Sequence, residues 1–427
     1  MEPNRFQDSV GTRRAAKNRS LNICLISEEF PPGMGVGTGG GGIGTYAYNL
    51  ARGLTELGHR VHVIVRGWGE DTVQKVGEMR LYRASIPEPS WRRGTYFFNS
   101  RFGETREILL WNLRVGQVVR RINAVEPLDV IESPEFHAQG LFAALSQRRI
   151  PMVVKLHTPA YVLGRITGAS VGWSRWDTMA SEYLEYRLVR RARVVTSPSR
   201  KMAEDAAEQW SLDASAIRVI PNMIDDDLFR PTNGTVVDNR TLLYVGQVVR
   251  HKGVETLVDA LPIILDAFPG TRLRFVGKID RSDSGTPSMS DHLRQRLREA
   301  GVSEGVVEFV GPVDRTVLPH AYRHAAVCVV PSLWESFGYS CLEAMACGCA
   351  VVASAVGGLP EIVTDQVDGL LVPPGHPEAL ATAVIRLLSN PLLRLQLGSR
   401  AQATVRDRFS LGAACAETAR LYRSLMV

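Results

Sequence analysis

From Leu21 onward the chain repeats one unit: an apolar run just long enough for a buried strand, then a stretch with helical spacing. The first set of runs is Asn22–Ser27, Arg60–Val65, Asp129–Ile131, Met152–Leu156 and Val194–Ser197. A turn-rich stretch, 218–234, with two prolines and an aspartate run, interrupts the pattern. The pattern then restarts with Thr241–Gly246, Arg272–Gly277, Val306–Val310, Ala326–Val330, Ala350–Ser354 and Gly369–Val372. Strands apolar along their whole length are buried on both faces, so this grammar predicts parallel sheets covered by helices. Two similar-sized doubly wound α/β domains fit better than one large sheet. The expected division is a disordered or processed leader 1–20, a first domain 21–217 and a second domain 218–407. An amphipathic final segment, 408–427, is expected to return to the first domain.

Composition narrows the class. A length of 427 residues suits two or three domains, and 45% hydrophobic with 22% charged residues excludes disordered, collagen-like and disulfide-stapled chains. No uncharged apolar run reaches the ~18 residues that a membrane span requires. The net charge is +6, but the first 20 residues carry five cations against two acids, so the remainder is near neutral. With 44 arginines against 6 lysines and no helix-turn-helix, finger or stacking platform, nucleic-acid binding is not expected. Cys341, Cys347 and Cys349 crowd one apolar stretch without histidines, a poor zinc pattern. The N-terminus has no secretory apolar region, so a cytoplasmic location is the expectation.

Strand Asn22–Ser27 opens into a glycine-rich loop running to Gly44. Such backbone lets N–H groups approach a diphosphate beside a helix N-terminus that favours anions. Gly37, Gly39 and Gly42 match a dinucleotide fingerprint literally. Against nicotinamide or flavin, the glycines start late, Pro31 and Pro32 intervene, and no carboxylate follows Val65. A phosphate or sugar contact and a plain lid remain open.

Residues 331–363, PSLWESFGYSCLEAMACGCAVVASAVGGLPEIV, carry the most chemistry. A helix is expected to start near Phe337–Gly338, capped by Ser336, with unpaired amides from Phe337 to Ser340. Glu335 and Glu343 bracket that start, and a carboxylate accepts two hydroxyls, which suits a ribose diol or a pyranose. The alternative is a capping Glu335 and a solvated Glu343 favoured by the helix dipole. In 244–261, Arg250, His251 and Lys252 crowd the turn after another strand and suggest an anionic ligand.

Together these segments resemble the family 4 retaining glycosyltransferases, which have the GT-B architecture of two facing Rossmann-like domains. The likeness covers nearly the whole chain after residue 20. ESFGYSCLE, Glu335 to Glu343, looks like that family's E-x7-E motif; VGQVVRHKG looks like its diphosphate-binding strand-turn. GGIGTYAYNLARGLTELGHRVHV is similar to its N-terminal loop and helix, and VIPNMIDDDLF to its linker. The resemblance implies that Glu343 binds the donor ribose and Glu335 holds the transferred sugar. The amides of Phe337, Gly338 and Tyr339 would face the sugar and diphosphate, and Gly41 and Gly42 would close over the donor. Lys252 would neutralise the leaving diphosphate, and His157 would lie beside the sugar. The backbone near Val313 would meet the base. Where the family commonly has arginine this chain has Gln247, so Arg250 is expected to supply the missing charge.

On this resemblance the reaction moves a sugar with retention from a nucleoside-diphosphate sugar, UDP before GDP, to a carbohydrate, lipid-linked or small-molecule acceptor. Preorganised donors would stabilise the leaving group without a metal or cofactor. Front-face attack is expected, with Glu335 as a covalent nucleophile the alternative. Asp225 and Asp227 form a D-x-D, but in the linker. The acceptor is expected on the first domain, where Trp91, Arg92, Tyr96, Phe97, Trp111, Arg165, Trp173, Arg175 and Trp176 gather aromatic and cationic groups. A basic amphipathic helix at 106–122 would touch an anionic membrane or simply pack on the core. A nucleotide-sugar 2-epimerase of the same architecture is the rival reading.

Overall fold

A computed structural model describes residues 19–30, 41–86, 103–167, 175–232, 234, 237–279 and 288–426. The leader to residue 18, the glycines from Gly33 to Gly40, and Trp91, Arg92, Tyr96, Phe97 and Trp173 lie outside the described residues. The chain forms two sheets. The first holds β1 (Asn22–Ile26), β2 (Arg60–Gly67), β3 (Thr72–Val76), β4 (Met79–Ser85), β5 (Val130–Pro134), β6 (Met152–Lys155), β7 (Val194–Ser197) and β8 (Ile217–Val219). The second holds β9 (Asp238–Val245), β10 (Arg272–Val276), β11 (Val307–Gly311), β12 (Ala325–Val330), β13 (Val351–Ser354) and β14 (Leu370–Val372).

The strand orders are β3-β4-β2-β1-β5-β6-β7-β8 and β11-β10-β9-β12-β13-β14. The second is the doubly wound order of nucleotide-binding sheets. In both, the chain reverses direction across the sheet beside its first strand, between β1 and β5 and between β9 and β12. Crevices open there at the carboxyl ends of the strands. All pairings are parallel except β3 with β4, an antiparallel hairpin that extends the first sheet. That hairpin departs from the expected all-parallel sheet. Its outer strand, TVQKV, is exposed almost throughout and has no apolar run to announce it.

The central strands match the sequence reading because they are apolar on both faces. Every residue of β12, AAVCVV, is buried. Helix Gly42–Glu56 buries Tyr46, Ala47, Leu50, Ala51 and Leu54, the spacing of one helical face. Helix Leu411–Ser424 contributes Leu411, Ala414, Cys415, Ala419 and Tyr422 to that same first-domain core, so the chain does return there. Each fully buried leucine or valine of this seam contributes about 1.5–3 kcal/mol.

One acceptor-side expectation changes, and one of two open readings is favoured. Trp111 is core, 1% exposed, rather than a sugar platform. Helix Gly103–Val125 buries Val115, Val118, Val119 and Ile122 against the first sheet, so its apolar stripe is taken up by packing. Trp176 does stand exposed. Among the described residues no helix is long and apolar enough to cross a membrane.

Candidate functional site

The second-domain half begins where β12 leaves the sheet at Pro331. The loop Ser332–Gly338 leads into helix Tyr339–Ala346, and its N-cap is Gly338, in a left-handed conformation, rather than Ser336. The Ser336 carbonyl instead accepts a hydrogen bond from Ser199 Oγ of the first domain at 2.8 Å. The first turn leaves the amides of Tyr339, Ser340 and Cys341 without intrahelical acceptors. Glu335 is buried, and its Oε2 accepts from Lys252 Nζ at 2.7 Å and Ser332 Oγ at 3.3 Å.

Two glycines explain how residues 83 positions apart meet. Gly253, at φ +69°, follows the turn Arg250–Lys252, and a Cβ there would collide with the Pro331 carbonyl. The two loops are then joined by Leu333 and Trp334 amides donating to the His251 carbonyl, at 2.9 and 3.3 Å. Gly357, at φ +56°, lies so close that a Cβ would strike the Glu335 carbonyl, which also accepts from Gly358 N–H at 3.0 Å. The loop from Pro331 to Glu335 is therefore held at both ends by backbone that only glycine can form.

The three potential cations of this turn differ in their surroundings. Burial, helped by the Lys252 charge, pushes the His251 imidazole down to about 4, so it is neutral near pH 7. Arg250 is 69% exposed in its side chain and pairs with Glu255 at 3.2 Å. Lys252 is the cation that faces Glu335. Gln247 is exposed, and its carbonyl accepts from Tyr244 Oη at 2.6 Å. Val313 lies part-buried in the loop after β11.

Glu343 is not a solvated acid. It is buried in the second turn of the helix, and its Oε2 accepts from Tyr322 Oη at 2.9 Å. Burial pushes its carboxyl up to about 7, against the opposing pull of Arg315 and the Tyr322 bond.

The first-domain half faces this helix. Gly41 N–H donates to Glu29 Oε2 at 3.1 Å, and a Cβ built on Gly42 would lie 3.7 Å from the Tyr339 ring. His157 follows β6; its amide donates to Glu135 Oε1 at 2.7 Å and its ring meets Tyr46 edge-on at 5.1 Å. Burial, with the Lys155 charge beside it, pushes the His157 imidazole down to about 3. It therefore offers one donor and one acceptor nitrogen. Asp225 and Asp227, the D-x-D of the linker, both pair with Arg52, at 2.5 and 3.0 Å.

Sequence reasoning missed Glu135, Tyr322 and Arg315. Glu135 is fully buried, one oxygen has no partner, and burial pushes its carboxyl up to about 8. A carboxylate in a short polar run gives no sign of burial, because the neighbours that bury it come from remote segments.

Two doubly wound domains, with a cation, a helix N-terminus and buried carboxylates along the cleft between them, form the GT-B architecture. Comparison with known proteins agrees. A model described as Glycosyltransferase Family 4 matches residues 40–228, and one described as Glycosyl transferases group 1 matches residues 239–390. D-inositol 3-phosphate glycosyltransferase 2 of Catenulispora acidiphila is 30% identical over 422 residues, covering 94% of each chain. Sucrose-phosphate synthase from Thermosynechococcus elongatus superposes with a TM-score of 0.78 at 26% identity, over 95% of this chain and 99% of that one. Anabaena HepE, whose structure holds UDP and glucose, superposes with a TM-score of 0.70 at 20% identity, over 95% and 100%. The chain belongs to the family 4 glycosyltransferases, and it is a transferase enzyme.

Proposed function

We propose that this glycosyltransferase moves a sugar from a nucleoside-diphosphate sugar to an acceptor hydroxyl with retention of configuration and without a metal. The observation that carries the reading is the Lys252–Glu335 pair at 2.7 Å, set at the start of helix Tyr339–Ala346. As the glycosidic bond breaks, charge collects on the diphosphate. Lys252 and the free amides of Tyr339, Ser340 and Cys341 are placed to receive it, with no reorganisation required at the moment of reaction. Glu335, aligned by Lys252 and Ser332, accepts hydroxyls of the transferred sugar. Glu343 serves the ribose, and neutral His157 meets the sugar from the opposite wall.

UDP is the favoured nucleotide, supported by the UDP held in the structurally similar HepE. A phosphorylated polyol is the first acceptor class to screen, because a relative of 30% identity is named for D-inositol 3-phosphate. Front-face attack, in which the leaving phosphate takes the acceptor proton, fits a Glu335 already committed to Lys252. The test is turnover of an α-configured UDP-sugar in EDTA, with the product's anomeric configuration read by proton NMR. An α product formed without metal supports the reading; a β product, or turnover that requires a divalent cation, contradicts it.

A further inference from the structure

We infer that Ser199 is a positioning residue for the transferred sugar: from the first domain it fixes the backbone beside Glu335, so that the sugar-holding carboxylate is aimed only where the two domains meet. The inference deepens the nucleotide-sugar reading above and rests on it. Ser199 is fully buried and is the N-cap of helix Arg200–Trp210. Its hydroxyl makes two bonds. Oγ accepts from the Met202 amide at 3.2 Å, and its one proton is donated across the cleft to the Ser336 carbonyl at 2.8 Å. The residue that caps its own helix thus also holds the residue immediately after Glu335.

The second domain leaves room for this contact. At Gly358 a Cβ would lie 2.6 Å from the Ser336 carbonyl oxygen and 3.1 Å from Ser199 Cβ. The Gly358 amide meanwhile donates to the Glu335 carbonyl at 3.0 Å. Successive carbonyls are therefore held by different domains, that of Glu335 by its own and that of Ser336 by the other. On the preceding side, Trp334 packs against the first-domain core. Lys252 and Ser332 both bond Glu335 Oε2, which leaves Oε1 for sugar hydroxyls. The direction of Oε1 follows the backbone at 334–336, and the first domain holds that stretch at both ends. A displacement of about 1 Å at such a group can cost about 10²-fold in rate. Lys252 and the amides of Tyr339, Ser340 and Cys341 belong to the second domain, so the diphosphate keeps its partners when the Ser199 bond is lost.

The test compares the full chain as wild type, Ser199→Gly and Ser199→Ala. Both variants lack the hydroxyl. Glycine, however, starts a helix nearly as well as serine does and alanine poorly, so Ser199→Gly removes the bond to Ser336 with little loss of fold. Release of the nucleoside diphosphate is followed in EDTA with UDP-glucose, UDP-N-acetylglucosamine and GDP-mannose. Binding of UDP and GDP is measured by calorimetry. With whichever donor wild type consumes, both variants are expected to lose about 10–100-fold in kcat, while affinity for the bare diphosphate stays within about twofold. Wild-type kcat in Ser199→Gly would overturn the inference. So would a loss confined to Ser199→Ala, the mark of a helix cap alone. An equal loss of diphosphate affinity would overturn it too, since the whole cleft would then have loosened. If wild type consumes none of the three donors, the donor reading falls first and this inference with it.

Discussion

Lys252 and Glu343 carry opposite kinds of information about the site. Lys252 keeps part of its surface in water and faces one carboxylate, so its removal should affect the reaction far more than the fold. Lys252→Ala is expected to lower kcat by about 10²–10³-fold, the scale of losing one preorganised donor to a developing anion. Circular dichroism would show the fold intact. Glu343 is the reverse case, a carboxyl held where burial disfavours its charge. Between its ordinary value of 4.5 and about 7, the folded state holds a proton that the unfolded chain has released. The stability this group contributes is therefore greatest on the acid side and is lost as pH rises through about 7. Glu343→Gln is expected to raise stability near pH 8 by about 1–3 kcal/mol, with little gain near pH 5, while weakening nucleotide binding. Melting curves at the two pH values check the first part. A loss of stability at pH 8 would mean the carboxylate is better solvated than its burial implies.

At the scale of elements, the site is a meeting of loops that glycine permits. The turn after β9 and the loop after β12 interlock because Gly253 leaves room for the Pro331 carbonyl, and the β13 exit interlocks because Gly357 leaves room for that of Glu335. Gly357→Ala is expected to destabilise the protein by about 2–3 kcal/mol and to abolish most activity, since a methyl group there displaces the Glu335 backbone. Differential scanning calorimetry together with turnover checks both. The alternation of buried strands and helices was legible in the sequence because chain geometry leaves local marks; the roles of Gly253 and Gly357 were not, since the carbonyls they admit belong to other loops. Helix Tyr339–Ala346 was legible too, though its cap was misplaced: Ser336 is the better capping side chain in isolation, but its carbonyl is drawn to Ser199 across the cleft. Arg315 and Glu135 left no such mark. Their contacts are with Asn49, Phe229 and His157, partners set by the packing of whole domains. Hairpin β3–β4 escaped because its exposed outer strand lacks an apolar pattern.

At the scale of the molecule, two of the joints that hold the domains in register can be tested separately. At one, the N-terminus of helix Arg200–Trp210 receives the Glu361 carboxylate of the second domain, with amides of Arg200 and Lys201 donating at 2.9 and 3.0 Å. At the other, the C-terminal helix is latched into the first domain by Tyr422, whose hydroxyl donates to Glu132 at 2.7 Å, the same carboxylate that Tyr46 reaches at 2.8 Å. Tyr422→Phe leaves that buried carboxylate short of one donor and is expected to cost about 1–3 kcal/mol, measurable by urea unfolding. Because Tyr46 also supports the His157 ring, the same variant should lower turnover modestly without raising the donor KM. On the proposed function, the cleft binds a nucleoside diphosphate through Lys252 and a helix N-terminus, with no metal. The most direct measurement is the melting temperature in EDTA against UDP, GDP, ADP, TDP, NAD and NADP. A rise of several degrees with one diphosphate, absent in Lys252→Ala, is the expected result. Stabilisation by NAD or NADP alone, or by a diphosphate only after a divalent metal is added, would contradict the account.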